Sequence, residues 1–406
     1  MHKNIIIVDP GPSAAYLAES LKQLGLNSIA IFTAPMESRD EYFRVATDVF
    51  DQQIFVDNAS AEKCIAAAQA LDPIFILNGS DDSAPITDRI NTALLPGFAN
   101  DPKTAVARCN KFNMQTALKA QGLPYIQQVR IARKDISSLD LTTIRFPCFC
   151  KPVHGICTVG GFKAENAHEF TTQMQKYVTH AKVNQPDYLI QEFIHADEYV
   201  VDTFSYQGKH YISSIQKYQK RLVGNTPTYG YCEVVDDKAA WEACAYFVKQ
   251  CLDATGLHNG FCHTEIFALS DGSYRLIEVN PRISGIKGYY NKLAHLLSLN
   301  TQPELLAQCL SAAPQESTFD QKKEYGRFLC LYNFSEKALQ DPGKKLTHLA
   351  SVKFYNLLKP VGTLPNDEPK NLATTDLLVM LAHRDLSVIE HDTHKLFELE
   401  SSHQLL

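Results

Sequence analysis

Residues 263–282 read His-Thr-Glu-Ile-Phe-Ala-Leu-Ser-Asp-Gly-Ser-Tyr-Arg-Leu-Ile-Glu-Val-Asn-Pro-Arg. Asp271-Gly272 lies between two apolar, alternating runs, and this dipeptide tolerates the positive φ angles of a tight hairpin turn. With these two residues at the turn positions, Ser270 faces Ser273, Glu265 faces Glu278 and His263 faces Asn280. Side chains alternate along a strand, so His263 shares a face with Glu265, and Glu278 shares one with Asn280. Two carboxylates directly opposite one another repel, and a cation between them removes that penalty. Two glutamates and an asparagine are hard oxygen donors, which suit Mg²⁺ far better than zinc. The bland alternative is a solvated hairpin with both glutamates in water. The flanking Ile266, Phe267, Leu276, Ile277 and Val279 speak instead for a mostly buried sheet.

The chain around this hairpin has 406 residues, too many for one ordinary core and suited to two or three domains. It is 45% hydrophobic and 21% charged, the balance of a soluble globular protein. A net charge of −6 gives no electrostatic reason to expect nucleic acid or an anionic membrane as a partner. The apolar run Asn4–Val8 stops at Asp9-Pro10, too soon for a signal sequence or a membrane span, and reads as a buried strand. The eleven cysteines have no zinc-like spacing; Cys148 and Cys150 share one strand face and read as buried packing. A reducing cytoplasm is the expected compartment.

An α/β reading follows along the chain, α+β in part. Residues 4–8 and 73–77 read as buried parallel strands, with helices over Ala14–Leu24 and Ala59–Leu71 between them. Asp9-Pro-Gly-Pro-Ser13 after the first strand is not the glycine fingerprint of a dinucleotide site. A helix is expected over 104–121, a strand over Phe146–Lys151, a helix over Glu165–His180 and a strand over Tyr188–Ile194. Glu198–Phe204 and His210–Ile215 form a second hairpin through Gln207-Gly208, and a helix covers Ala239–Leu252. Near the C-terminus Asp376–Ala382 and Leu386–Ile389 read as strands. The expected units are 1–103, 104–300 with a lid over about 145–205, and 301–406.

Several groups along this path carry chemistry. Lys151 ends a strand and leads into a loop containing Gly155, Gly160 and Gly161. A lysine beside glycines suits a nucleotide phosphate, because Cβ-free residues let backbone N–H groups approach the oxygens. A solvated strand end fits Lys151 equally well. Gln191-Glu192-Phe193-Ile194 followed by Glu198 offers backbone groups for adenine edges and a carboxylate for ribose hydroxyls, although taken alone the segment fits an ordinary strand end with surface acids better. Arg282, two residues past the hairpin, can clamp a carboxylate or phosphate, or serve as a structural ion pair. Lys217-Tyr218 and Lys220-Arg221 read as a basic surface run, with entry into the site from a loop as the alternative.

The ordered set is more specific than its members and resembles the ATP-grasp superfamily over most of residues 78–290. Within it the chain looks most like the L-amino-acid ligases. That likeness rests on Asn78-Gly-Ser80, Ala107-Arg-Cys-Asn-Lys-Phe-Asn-Met114, Glu192 through Glu198-Tyr-Val-Val-Asp202, His263-Thr-Glu265 and Leu276-Ile-Glu278. The resemblance implies an ATP-grasp fold with a Rossmann-like α/β domain in front and an α+β segment behind. By the same resemblance Lys111 and Lys151 bind ATP phosphates, Gln191 to Ile194 form the adenine hinge and Glu198 holds ribose. Glu265, Glu278 and Asn280 hold Mg²⁺, for which Mn²⁺ is a candidate substitute, and Arg282 steadies the acyl-phosphate or substrate carboxylate. The glycine loop departs from the Ser-Ala-Gly-rich form common in those ligases, and Asn280-Pro281 follows the broader superfamily.

The expected reaction joins a carboxylate to an amine, both small molecules and amino acids by resemblance, with release of ADP and phosphate. His263 is a catalytic candidate by position, with a structural histidine beside Mg²⁺ as the alternative reading. A carboxylase or synthetase of nucleotide biosynthesis, and a regulatory ATP-binding protein without turnover, are the competing functions. A homodimer is a candidate assembly.

Overall fold

The run Ile5-Ile6-Ile7-Val8 is fully buried on both faces, with alternate residues in two different cores. It lies in the central part of a parallel sheet, where a continuous apolar strand is what two covered faces demand. The computed structural model describes residues 3–35, 44–56, 60–153, 161–179, 186–223, 226–365, 370 and 372–406. Its first elements are β1 (Asn4–Val8), α1 (Ala14–Gln23), β2 (Asn27–Phe32), β3 (Gln52–Phe55), α2 (Ala61–Gln69), β4 (Pro73–Asn78) and α3 (Ala84–Leu94). The four strands pair in parallel in the order β3-β2-β1-β4. Gly79, just past β4, donates to Val8 O at 2.8 Å, and a Cβ there would stand 2.6 Å from that oxygen. Only glycine lets the two strand ends approach so closely.

The helix expected over 104–121 is broken. Pro102–Arg108 forms a 3₁₀ turn, and α4 runs only from Lys111 to Ala120. Asn110 causes the break, since its Oδ1 accepts from Phe112 N and Asn113 N and starts a new helix. A second, antiparallel sheet follows in the order β5 (Gln128–Ala132), β8 (Asp187–Glu192), β6 (Cys148–Pro152), β7 (Phe162–Ala164), with α5 at Ala167–Thr179. Cys148 and Cys150 are buried in its core as free thiols.

The third sheet has eight strands: β13 (Tyr274–Asn280), β12 (Gly260–Ala268), β9 (Asp197–Tyr206), β10 (Lys209–Val223), β11 (Thr226–Val234), β14 (Tyr325–Leu331), β16 (Leu377–His383) and β15 (Val352–Leu357). Helices α6 (Lys238–Ala254) and α7 (Tyr289–Leu296) fill its main core with Trp241, Phe247, Tyr289, Tyr290 and Leu293. The remaining helices are α8 (Gln302–Leu310), the short α9 (Gly343–Leu346) and α10 (Leu386–Ser401). Leu386–Ile389 is therefore the first turn of a helix, not a strand. Asp385 caps it by accepting from Ser387 N, and Ile389 and Leu396 both lie on its buried side.

The second hairpin turns at Gln207-Gly208, both at positive φ, as its sequence requires. The first hairpin corrects the reading in an instructive way. Leu269 N donates to Ser273 O and Gly272 N donates to Leu269 O, so the loop is Ser270-Asp271-Gly272 and Ser270 does not face Ser273. That shifts the register by one residue at the tip. A bulge at Ile277 shifts it back, and Glu265 pairs with Glu278 and His263 with Asn280 after all.

Candidate active site

The bulge decides which side chains reach the site. Ile266 pairs with Leu276, and both enter the main core, whereas the adjacent pair Glu265 and Glu278 points the other way. Without the extra residue Leu276 would share the face of Glu278. The bulge also frees the Leu276 carbonyl, which accepts from Gln115 Nε2 at 2.7 Å, while Gln115 Oε1 accepts from Ile126 N at 2.8 Å. Gln115 is buried and docks α4 on the hairpin. Lys111, one turn earlier on the same helix face, thereby reaches Glu278 Oε2 with its ammonium at 2.6 Å.

The expected charged residues gather electrostatically as well as spatially. Burial pulls Lys111 down, but Glu278 more than offsets this and holds the lysine above its ordinary value. Burial raises Glu278, and Lys111 and Lys151 outweigh it, leaving the carboxyl below the usual range. Among the described residues Lys151 forms no such close ion pair, and its pKa falls to about 8, through burial first and the Lys111 charge second, against the pull of Glu278, Glu265 and Glu198. Glu198 is raised by burial, opposed by Lys220 at 2.6 Å.

His263 and Asp202 are direct neighbours on β12 and β9, with Nδ1 and Oδ1 2.7 Å apart. Burial lowers the imidazole, but Asp202 and Glu265 outweigh it and lift its pKa to about 9. Nε2 faces Tyr218 OH at 3.4 Å and Glu265 Oε1 at 3.6 Å. Tyr218 in turn meets Tyr290 OH at 2.5 Å. His263 is thus packed and partnered on every side that these residues define.

The strand expected to form the adenine hinge already spends part of its hydrogen-bonding capacity within the protein. Glu192 N donates to Gln127 O and Phe193 N to Pro147 O, so neither N–H is available to a base. Glu192 Oε1 accepts from Gln127 N at 2.9 Å, and the buried Gln191 donates to Gln128 Oε1 at 3.0 Å. What this segment can offer an adenine edge is the Ile194 N–H and its carbonyls. Gly161 borders the loop expected to cradle phosphate, and a Cβ there would stand 2.5 Å from the Phe149 ring. Gly155 and Gly160 lie outside the described residues.

Two features escaped the sequence reading. Arg282 Nε lies 2.9 Å from Asp81 Oδ1, a residue brought in by the loop after β4, more than two hundred positions away. Burial raises Asp81 and Arg282 lowers it, with Glu278 adding to the rise. Burial lowers Arg282 and Asp81 more than restores its charge. The basic run is not a loop: it continues β10. Lys217 pairs with Asp197, Lys220 with Glu198, and Arg221 with the buried Glu400 of α10. The hairpin register Glu198↔Tyr218 was the available signal, had β10 been extended that far.

Among the described residues no three His, Cys, Asp or Glu side chains gather as a metal cluster. The site offers two carboxylates and an amide, with Asn280 anchored through Nδ2 on His263 O at 3.2 Å so that its Oδ1 is the oxygen it can present. This donor set fits a hard divalent cation, because a positive charge already sits stably against Glu278. No helix of the described residues is long and apolar enough to cross a membrane.

Comparison with known proteins agrees with this geometry. Residues 144–289 match the family model described as "ATP-grasp domain". Dapdiamide A synthase of Enterobacter agglomerans is 26% identical over 291 residues, covering 69% of this chain and 67% of that protein. The crystal structure of an L-amino acid ligase from Bacillus licheniformis superposes with a TM-score of 0.76 at 19% identity, covering 98% of this chain and 97% of that one. An N5-carboxyaminoimidazole ribonucleotide synthetase from Thermotoga maritima gives 0.69 at 15% identity, covering 98% of each chain. The chain has the ATP-grasp fold, matches the ATP-grasp domain model over residues 144–289, and resembles the carboxylate–amine ligases of that superfamily.

Proposed function

We propose that the protein is an ATP-dependent carboxylate–amine ligase that joins two L-amino acids, or an amino acid and an amine, through an acyl-phosphate. The observation that carries this reading is the opposed pair Glu265 and Glu278, set beside Lys111 and charge-coupled to Lys151 and Arg282. A single half-buried site so furnished suits phosphoryl transfer, where positioning and charge neutralisation are the main work. When bound, ATP supplies the phosphoryl group that activates the acid, and Mg²⁺, or Mn²⁺ in its place, supplies charge neutralisation.

The chain's own groups have separable tasks. Glu265, Glu278 and the Asn280 oxygen would hold the cation. Lys111 and Lys151 supply ammonium groups toward phosphate oxygens. Lys151 is the better placed of the two, since Lys111 is engaged with Glu278. Ile194 and Glu198 would receive adenine and ribose. Arg282 would orient the acid and stabilise the oxyanion formed during amine attack. The buried, doubly partnered His263 suits positioning of Glu265 better than free proton transfer.

A three-part division at 103/104 and 300/301, a lid over 145–205 and a cytoplasmic location belong to the same proposal, and a homodimer is compatible with it. The likeness to dapdiamide A synthase and an L-amino acid ligase supports amide formation over carboxylation. Phosphate release from ATP, measured with pairs drawn from the twenty amino acids and followed by mass analysis of products, tests the function. ATP binding without stimulation by any acid–amine mixture would sink it.

A further inference from the structure

Arg282 has a neighbour that a site for a plain carboxylic acid would not need. Asp81 Oδ1 is 2.9 Å from Arg282 Nε, and among the described residues no hydrogen bond of good geometry satisfies this buried oxygen. The loop bearing Asp81 is held firmly. Asn78 Nδ2 donates to Pro281 O at 2.8 Å and to Ser80 O at 2.7 Å, and Ser83 Oγ donates to Val8 O at 3.1 Å. The first of these bonds ties the N-terminal sheet to the residue before Arg282. Within that frame the Asp81 side chain keeps 27% of its surface exposed, so it can touch a ligand as well as the arginine.

An acid at the side of an arginine weakens its hold on a simple carboxylate, since the incoming anion is repelled. The effect reverses for a ligand that carries a cation next to its carboxylate. In an α-amino acid one carbon separates the two groups, so nitrogen and oxygen lie about 3 Å apart, the spacing of an ion pair. Such a zwitterion lies antiparallel to the Asp81–Arg282 pair and satisfies both charges.

We propose that Asp81 and Arg282 form a zwitterion clamp in which Arg282 takes the carboxylate and Asp81 the ammonium, making the acid substrate an α-amino acid. This rests on the ligase reading for the amino-acid substrate and the role of Arg282, and adds to it Asp81 as the residue that recognises the ammonium.

Calorimetric titration of the full chain, with Mg²⁺ and a non-hydrolysable ATP analogue present, tests the clamp. The probes are L-alanine, L-leucine and L-phenylalanine against propionate, 4-methylpentanoate and 3-phenylpropanoate. The wild-type protein is expected to prefer at least one amino acid over its des-amino analogue. Asp81→Asn should weaken that amino acid by about 10- to 100-fold and leave the analogue unchanged or tighter. Asp81→Glu, which keeps the charge, should recover part of the loss, and binding of the ATP analogue reports whether each variant is folded. Equal wild-type binding of both series, or discrimination retained in Asp81→Asn, overturns the clamp. Discrimination lost in Asp81→Asn supports it even if no amine then elicits phosphate release, an outcome that would instead defeat the ligase reading.

Discussion

The ammonium of Lys111 lies 2.6 Å from Glu278 Oε2, and the helix that carries it is pinned to the same hairpin by Gln115 on the Leu276 carbonyl. Glu278 thus serves a lysine and, in the proposed function, a divalent cation. The two positive charges must share or exchange that carboxylate. Lys111→Met is expected to tighten Mg²⁺ binding while raising KM for ATP, as read from a metal titration and a kinetic series. An unchanged metal affinity would show that the lysine and the cation do not compete.

Glu278→Gln removes one of two carboxylates from the cation set. Turnover should fall by about 100-fold or more, and the Mg²⁺ midpoint should move up by roughly tenfold. Excess Mg²⁺ should restore part of the rate. A rate that stays lost at saturating Mg²⁺ would argue that Glu278 acts otherwise than through metal.

Arg282→Ala should lower kcat by roughly 100-fold, the usual cost of one preorganised charge donor, with ATP affinity nearly intact. Fluorescent-nucleotide displacement measures the second quantity. A large loss of ATP affinity would place Arg282 on the nucleotide rather than on the acid.

Arg108 is fully buried and bonds Asp88, Thr104, the Asp101 carbonyl and the Thr255 and Gly256 carbonyls. It ties α3 of the first sheet to the end of α6. Arg108→Met leaves Asp88 charged and unpaired, and should cost about 3–5 kcal/mol in a urea titration. A cost below about 1 kcal/mol would mean that water replaces the guanidinium there.

His210 is buried between Ser205 Oγ at 2.7 Å and Asp253 at 3.1 Å. Burial lowers its pKa below the ordinary 6.5, with Asp253 opposing and Lys249 and His258 assisting. A depressed histidine contributes stability that is fully present above its unfolded pKa and is lost as pH falls below about 6.5. Thermal midpoints should therefore drop between pH 7 and 5, and His210→Gln should flatten that slope. Parallel slopes for the two proteins would exclude His210 as the source.

How far the sequence could be read depended on distance along the chain. The Glu265–Glu278 pairing was legible because a turn and two alternating strands are local, although two compensating one-residue shifts lay hidden inside it. The break at Asn110 was present as a capping residue but masked by the apolar periodicity on either side. Leu386-Ser-Val-Ile389 is a mostly apolar run of four residues, too few to distinguish the two periods. The basic run at 217–221 looked solvated because its acids, Asp197, Glu198 and Glu400, lie on other elements.

By itself the sequence determined the parallel strands, both hairpins and the ordered motifs that resemble an ATP-grasp site, since each follows from short-range periodicity, turn residues and motif order. Only the tertiary structure decided that Asp81 stands against Arg282, that Gln115 reads the bulge at Ile277, and that Asp202 holds His263. Those contacts join residues from 61 to 201 positions apart. They depend on how sheets pack and where a bulge falls, which no local pattern encodes.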